Sequence, residues 1–334
     1  MYLRYNFISI EIEGKFVNWK TYISEILSDQ IDFSCEFAAA SNVQDNLVIK
    51  IRNINEITNY QVSANCVKND KMRAALDFNE NVLIFYCGYD RSISLSYLIS
   101  LALLKTGRGM LLHCAALEDK EGNGHVYSAF GGVGKTQLAL NAVSIGKYRF
   151  LGDDLVICSS EGILYPYLRP LCLYSYHYSL LHIKLPKHYF FGPDFIYKIV
   201  RRLSHFTLRY FGTKKWFTEL RSYYTSRNLS SDIAPSIIFN GDQLSTGGVK
   251  FSKLFAVTKD PNPTHCDDYS FAEFVLNTTI PEWGYFDGLS EEFFTSVGKV
   301  YRNVMFDSIK VILKNVDSNS MNQISKAEMD VFYL

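Results

Sequence analysis

The chain has 334 residues, 48% of them apolar and 20% charged, and its 34 Lys and Arg balance 34 Asp and Glu to a formal charge of zero. That balance excludes a uniformly basic nucleic-acid coat and an acidic disordered tail, while the apolar share supports a large core in two domains or one enlarged one. Seven cysteines with no CxxC pair argue against a disulfide framework or zinc knuckle and for a reducing, cytoplasmic setting.

The first fifteen residues alternate apolar and polar positions and lack the continuous apolar core of a signal peptide. Residues 8–12, 47–51 and 82–86 read as strands, and 18–27 carries apolar residues at helical spacing. Ser92 is placed to cap a helix whose Leu95, Leu98, Ile99, Ala102 and Leu103 share a face, with Gly107 and Gly109 as its stop. The longest apolar run, 97–104, is much shorter than the roughly 20 residues of a membrane span, so no membrane is expected. This stop divides the chain into an N-terminal α+β domain, 1–106, and a second domain, 107–334.

The second domain opens with a continuous apolar strand, 110–117 (MLLHCAAL), interrupted in character only by His113. A polar turn leads to a second strand, 125–130, then to Gly131, Gly132, Val133, Gly134, Lys135 and Thr136, then to a helix that stops at Gly146. Strands are expected within 149–158 and 163–167, and again at 236–239 and 254–257, with a helix over 289–301 that sets Glu291 and Glu292 near its positive end. No internal repeat or low-complexity tract breaks the chain, and the pattern as a whole predicts an α/β fold on a mixed sheet.

The sharpest signal is the glycine-rich turn between strand and helix. Glycines let backbone N–H groups close around phosphate oxygens, Lys135 reaches the β and γ phosphates, and the Thr136 hydroxyl ligates Mg²⁺. The full pattern G-x-x-x-x-G-K-[ST] has glycine where this chain has Ala129. Asp153 and Asp154 follow Lys135 by 18 and 19 positions. Neighbouring side chains on an extended strand point to opposite faces, so the two carboxylates share a site only where the chain turns, and Gly152 offers that turn. An Asp-Asp pair alone is commonly a solvated turn, but one helix and one strand beyond a phosphate loop it supplies what phosphoryl transfer needs. One carboxylate holds the metal, and the other accepts the proton of an alcohol. An antiparallel pairing of the two strands before the loop brings His113 beside it, where a core role and a functional one are equally open.

The run from Leu112-His113-Cys114-Ala115-Ala116 through the loop to Leu151-Gly152-Asp153-Asp154-Leu155 resembles the catalytic domain of HPr kinase/phosphorylase. That domain belongs to the phosphoenolpyruvate carboxykinase superfamily of P-loop kinases. The likeness is closest to the short HPr-kinase-related proteins of peptide-modification clusters, whose Pro/Arg-containing strand is matched by residues 165–171. The resemblance implies that Lys135 and the backbone of 131–134 hold ATP, that Thr136 and Asp154 hold Mg²⁺, and that Asp153 is the base toward an acceptor hydroxyl. It also implies a catalytic place for His113 and a phosphate contact for Arg169. The glycine-rich stretch that carries a further metal-binding glutamate in HPr kinases is missing, so neither phosphorylase activity nor HPr as substrate is implied.

Between 165 and 230, eleven Lys and Arg face only Asp194 and Glu219, a net +9 within a neutral chain. This basic, aromatic insertion, about 176–230, reads as a lid or platform for an anionic acceptor, or as a solvated surface; a nucleic-acid surface is the weakest reading. The expected activity is an ATP-dependent, Mg²⁺-requiring kinase acting on a hydroxyl of a peptide, protein or small molecule. The alternative is a nucleotide-binding adaptor that has lost transfer.

Overall fold

Ile8 and Ile10 flank Ser9, and Leu47, Ile49 and Ile51 recur at every second position, which is the pattern that sets one face of a pair of strands into the core. The computed structural model describes residues 2–5, 8–12, 47–59, 66–69, 74–87, 95–174, 230–259, 268–283 and 287–325. The expected helix over 18–27, the Ser92 cap and nearly all of the basic insertion lie outside the described residues. The architecture is α/β, with two mixed sheets, a separate strand pair and six helices among the described residues.

The first sheet contains β1 (Tyr2–Tyr5), β2 (Ile8–Ile12), β3 (Leu47–Asn53), β4 (Val67–Asn69), β5 (Ala74–Asn79) and β6 (Val82–Cys87). Its order is β1-β2-β3-β6-β5-β4, parallel from β2 through β3 to β6 and antiparallel elsewhere. Helix α1 (Leu95–Thr106) follows, with every residue from Leu95 to Leu104 buried. A helix apolar around its whole circumference must be covered on all sides, and α1 packs on β3 and β6 as well as on the second sheet. Gly107 ends it at φ 67°, and the N–H groups of Gly107 and Arg108 return to the carbonyls of Leu104 and Leu103.

The second sheet is built from β7 (Gly109–Leu112), β8 (Cys114–Glu118), β9 (Asn123–Ser128), β10 (Arg149–Gly152), β11 (Val156–Ser159) and β12 (Ile163–Tyr165). Beyond the separate pair β13 (Leu171–Tyr174) and β14 (Ser230–Ile233), it is completed by β15 (Val249–Thr258) and β16 (Met321–Ser325). The order is β10-β8-β9-β15-β12-β11-β7, with β16 beside the last half of β15. Strands β9, β15 and β16 are parallel, and the remaining pairs are antiparallel.

Residues alternate between two cores. Cys114, Ala116 and Val126 face α1 and the first sheet, whereas Ala115, Leu117 and Tyr127 face helix α2 (Lys135–Ser144). The first of these cores also takes side chains from α4 (Asp268–Thr279), α5 (Asp287–Ser296) and α6 (Tyr301–Leu313). It therefore runs without a break across the 106/107 boundary.

Three expectations are corrected. The strand at 110–117 is two strands: β7 pairs with β11, β8 pairs with β9 and β10, and His113 is the hinge between them. Residues 236–239 do not form a strand, because Pro235 fixes a helical φ at the start of the short helix α3 (Pro235–Ile238). The helix at 289–301 stops at Ser296, where Gly298 takes φ 72° and sends the N–H groups of Gly298 and Lys299 back to Thr295 and Phe294. Among the described residues no helix is long and apolar enough to cross a membrane.

Candidate active site

The loop between β9 and α2 has the backbone its sequence requires. Gly132 and Gly134 take φ of 76° and 110°, a region that L side chains rarely enter. A Cβ placed on Gly131 or Gly132 would meet no atom within 4 Å, so the loop is open to solvent at both positions. Gly134 is the N-cap of α2 without a side-chain cap bond, which leaves the N–H groups of the first turn for a ligand. Ala129 is fully buried and is not among the residues with positive φ, so alanine fits where the common pattern has glycine.

Lys135 is buried, and its Nζ donates a 2.7 Å hydrogen bond to the Ala129 carbonyl, which folds the ammonium group back over the loop. The Thr136 hydroxyl donates to Asp153 Oδ2 at 2.6 Å. The other oxygen of that carboxylate, Oδ1, is buried with no hydrogen-bond partner. A buried carboxyl oxygen without a hydrogen-bond partner, beside a hydroxyl, is an arrangement that a divalent cation completes by displacing the carboxyl proton, so the residues present fit Mg²⁺. Among the described residues there is no group of three or more His, Cys, Asp and Glu side chains that could hold a metal ion.

Burial, then the neighbouring Asp154 charge, pushes the Asp153 carboxyl up to about 7, against the lowering influence of Thr136 and Lys135. Cys114 sits behind the aspartates, and burial drives its thiol far above the ordinary range, which makes it an inert core residue.

Two chain crossings meet at this point. The chain passes from β7 to β8 at His113 and from β10 to β11 through Asp153, Asp154 and Leu155, and the Cys114 N–H donates to the Asp154 carbonyl at 3.2 Å. The turn that sets the two carboxylates in one site lies at Asp154, at φ 65°, and not at Gly152. Gly152 contributes by its size: a Cβ there would lie 2.9 Å from Val156 Cγ2 and 3.0 Å from the Leu155 carbonyl oxygen.

The Asp154 side chain is 48% exposed, and its Oδ1 lies 4.0 Å from His113 Nε2. His113 Nδ1 is 2.6 Å from the Thr278 carbonyl oxygen. A carbonyl only accepts, so Nδ1 carries the proton and Nε2 turns toward Asp154. The Thr278 hydroxyl is 2.8 Å from Ser128 Oγ, and Thr279 Oγ1 accepts from the His113 N–H at 3.3 Å. These α4 residues were not anticipated. Their signal was Phe271, Ala272, Val275 and Leu276 at helical spacing just ahead of them.

The structure thus gathers Lys135, Thr136, Asp153, Asp154 and His113 around the glycine loop. It couples Thr136 to Asp153, whereas the resemblance paired Thr136 with Asp154. Arg169 is half-buried on the segment that follows the Tyr167 N–H to Leu151 carbonyl bond. No protein-family model matches the chain, and no curated protein matches it.

Proposed function

We propose that the chain is an ATP-dependent, Mg²⁺-requiring phosphotransferase that moves the γ-phosphoryl group to a hydroxyl of a peptide, protein or small molecule, on a kinase domain of the HPr kinase type. The observation that carries this reading is the 2.6 Å bond from Thr136 to Asp153 at the open end of a positive-φ glycine loop. A solvated glycine turn has no use for a threonine tied to a buried, half-satisfied carboxylate.

In this reading the phosphates of ATP lie along the backbone N–H groups of Gly131, Gly132, Val133 and Gly134, and Lys135 leaves the Ala129 carbonyl for a phosphate oxygen. Thr136 and Asp153 hold Mg²⁺, which neutralises phosphate charge when bound. Asp154, open to solvent, accepts the proton of the acceptor hydroxyl as its oxygen bonds to the γ phosphorus and the bond to ADP breaks. The roles first assigned to the two aspartates are thereby exchanged. His113 steadies Asp154 from the buried side, held by Thr278, and Arg169 takes the role of receiving charge on the transferred group. The net +9 of residues 165–230 supports an anionic acceptor.

The test offers candidate acceptors with labelled ATP and Mg²⁺ and locates the label by mass spectrometry. A phosphorylated hydroxyl that disappears in Asp154→Asn supports the reading. ATP binding without transfer to any component of the gene neighbourhood favours the adaptor instead, and absence of ATP binding overturns both.

A further inference from the structure

We propose that Phe130 is the platform on which the nucleobase stacks, with Phe274 as its support. This rests on the nucleotide-binding reading above and adds to it the place of the base. Phe130 stands inside the phosphate loop, between the buried Ala129 and the exposed Gly131, and is itself 50% exposed. The other large hydrophobic residues that stand exposed among those described are Ile145, Ile237, Val300 and Val311, and none of them belongs to the loop. A single exposed apolar residue is ordinary on a protein surface, but one on the rim of a cradle for phosphate is placed against the polarity of its surroundings.

Its ring is held without being covered. The Phe274 ring meets it edge to face, with centroids 5.7 Å apart and planes at 75°. Phe274 lies one turn before Thr278, the residue that α4 ties to both His113 and Ser128, so the support is anchored to the site. The chemistry of the ligand completes the argument. A nucleoside triphosphate is a polyanion at one end and a flat, weakly hydrated π-system at the other. The loop N–H groups and Lys135 suit the first, and an exposed, oriented phenyl ring adjoining them suits the second. Stacking on a phenyl face uses no hydrogen-bond readout, so the platform accepts adenine and guanine alike.

Calorimetric titrations of the full chain with Mg-ATP, Mg-GTP and inorganic tripolyphosphate test the proposal. Tripolyphosphate carries the anionic half of the ligand without the base. Phe130→Ala is expected to weaken both nucleotides roughly five- to a hundredfold while leaving tripolyphosphate within about twofold, and Phe130→Trp is expected to preserve nucleotide binding. Unchanged nucleotide affinity in Phe130→Ala overturns the platform, including the case in which the ring serves the acceptor and only transfer suffers. An equal loss for tripolyphosphate also overturns it, because the ring would then be shaping the loop. If the wild-type chain binds neither ATP nor tripolyphosphate, the failure belongs to the nucleotide reading itself.

Discussion

The Thr136 hydroxyl and the Asp153 carboxylate, 17 residues apart in the chain, share a 2.6 Å hydrogen bond at the mouth of the glycine loop. A hydrogen bond to a charged group contributes about 1.5–3 kcal/mol, and removing its donor leaves a buried carboxylate with less compensation. Thr136→Val, which keeps the shape and deletes the donor, is expected to lower the unfolding free energy of the metal-free protein at pH 8 by that amount. Asp153→Asn is expected to abolish the Mg²⁺-dependent strengthening of ATP binding. The double variant should cost less stability than the two single changes together, since both delete one interaction. Urea unfolding of the four proteins measures this, and strict additivity would show that the pair acts independently.

Asp153 also makes stability depend on pH in a direction opposite to that of a salt-bridged acid. Its folded-state value of about 7 lies above the ordinary carboxylate value of about 3.9, so the folded protein retains a proton that the unfolded chain releases. The stability linked to that proton is complete below about pH 4 and is lost as pH rises through about 7. In the metal-free protein the difference between wild type and Asp153→Asn is expected to change by up to about 1.4 kcal/mol per pH unit within that window. Denaturant titrations at half-unit intervals give the slope; a flat difference would place the proton elsewhere.

Asp154 holds φ 65°, a conformation that aspartate, asparagine and glycine tolerate and β-branched residues do not. Asp154→Asn and Asp154→Gly are therefore expected to stay within about 1 kcal/mol of wild-type stability, while Asp154→Val loses about 1–3 kcal/mol. Phosphoryl transfer separates from stability: all three variants are expected to bind ATP and to lose roughly 10²–10⁴ in kcat. Retained transfer in Asp154→Asn would return the base to Asp153.

The loop and α2 were legible in the sequence because their chemistry is local. Glycines at 132 and 134 meet a backbone demand at their own positions, and Lys135 and Thr136 open the helix they serve. The break at His113 was not legible, since the surrounding residues are apolar on both sides of the hinge and only the pairing of β7 with β11 reveals it. Thr278 was hidden for a related reason: it is 165 residues from His113, and a threonine near a helix end carries no sign of a distant histidine. Which of the two carboxylates is buried and which stays open to solvent was hidden by a single torsion angle, because the turn falls on Asp154 and not on the glycine before the pair. Gly298, by contrast, was readable as a helix stop, and the longer helix expected across it ignored a signal already present.

Gly152 supports the aspartate turn through close approach. An added methyl group would press on Val156 at 2.9 Å, on the Leu155 carbonyl oxygen at 3.0 Å and on the Tyr167 carbonyl oxygen at 3.3 Å, and two of these are backbone atoms with little freedom to move. Gly152→Ala is expected to cost about 1–3 kcal/mol by overpacking and to displace Asp153 from Thr136. Weaker Mg-ATP binding with tripolyphosphate affinity kept in the absence of metal would locate the damage at the carboxylates. Thermal unfolding without loss of nucleotide affinity would show that the turn adapts.

Helix α1 tests whether the two sheets stand or fall together. Leu98 is fully buried in the core that β3, β6 and β7 share, so its truncation removes apolar contacts from both sheets at once. Leu98→Ala is expected to cost about 2–5 kcal/mol and to shift a single unfolding transition to lower denaturant. Two probes follow it: the intrinsic fluorescence of the three tryptophans and far-ultraviolet circular dichroism over both sheets. Coincident transitions mean one cooperative unit in which the first sheet supports β7 and therefore the position of His113. Separate transitions, with only one moved by the substitution, would make the first sheet an independent domain and leave the geometry of the candidate site to the second sheet alone.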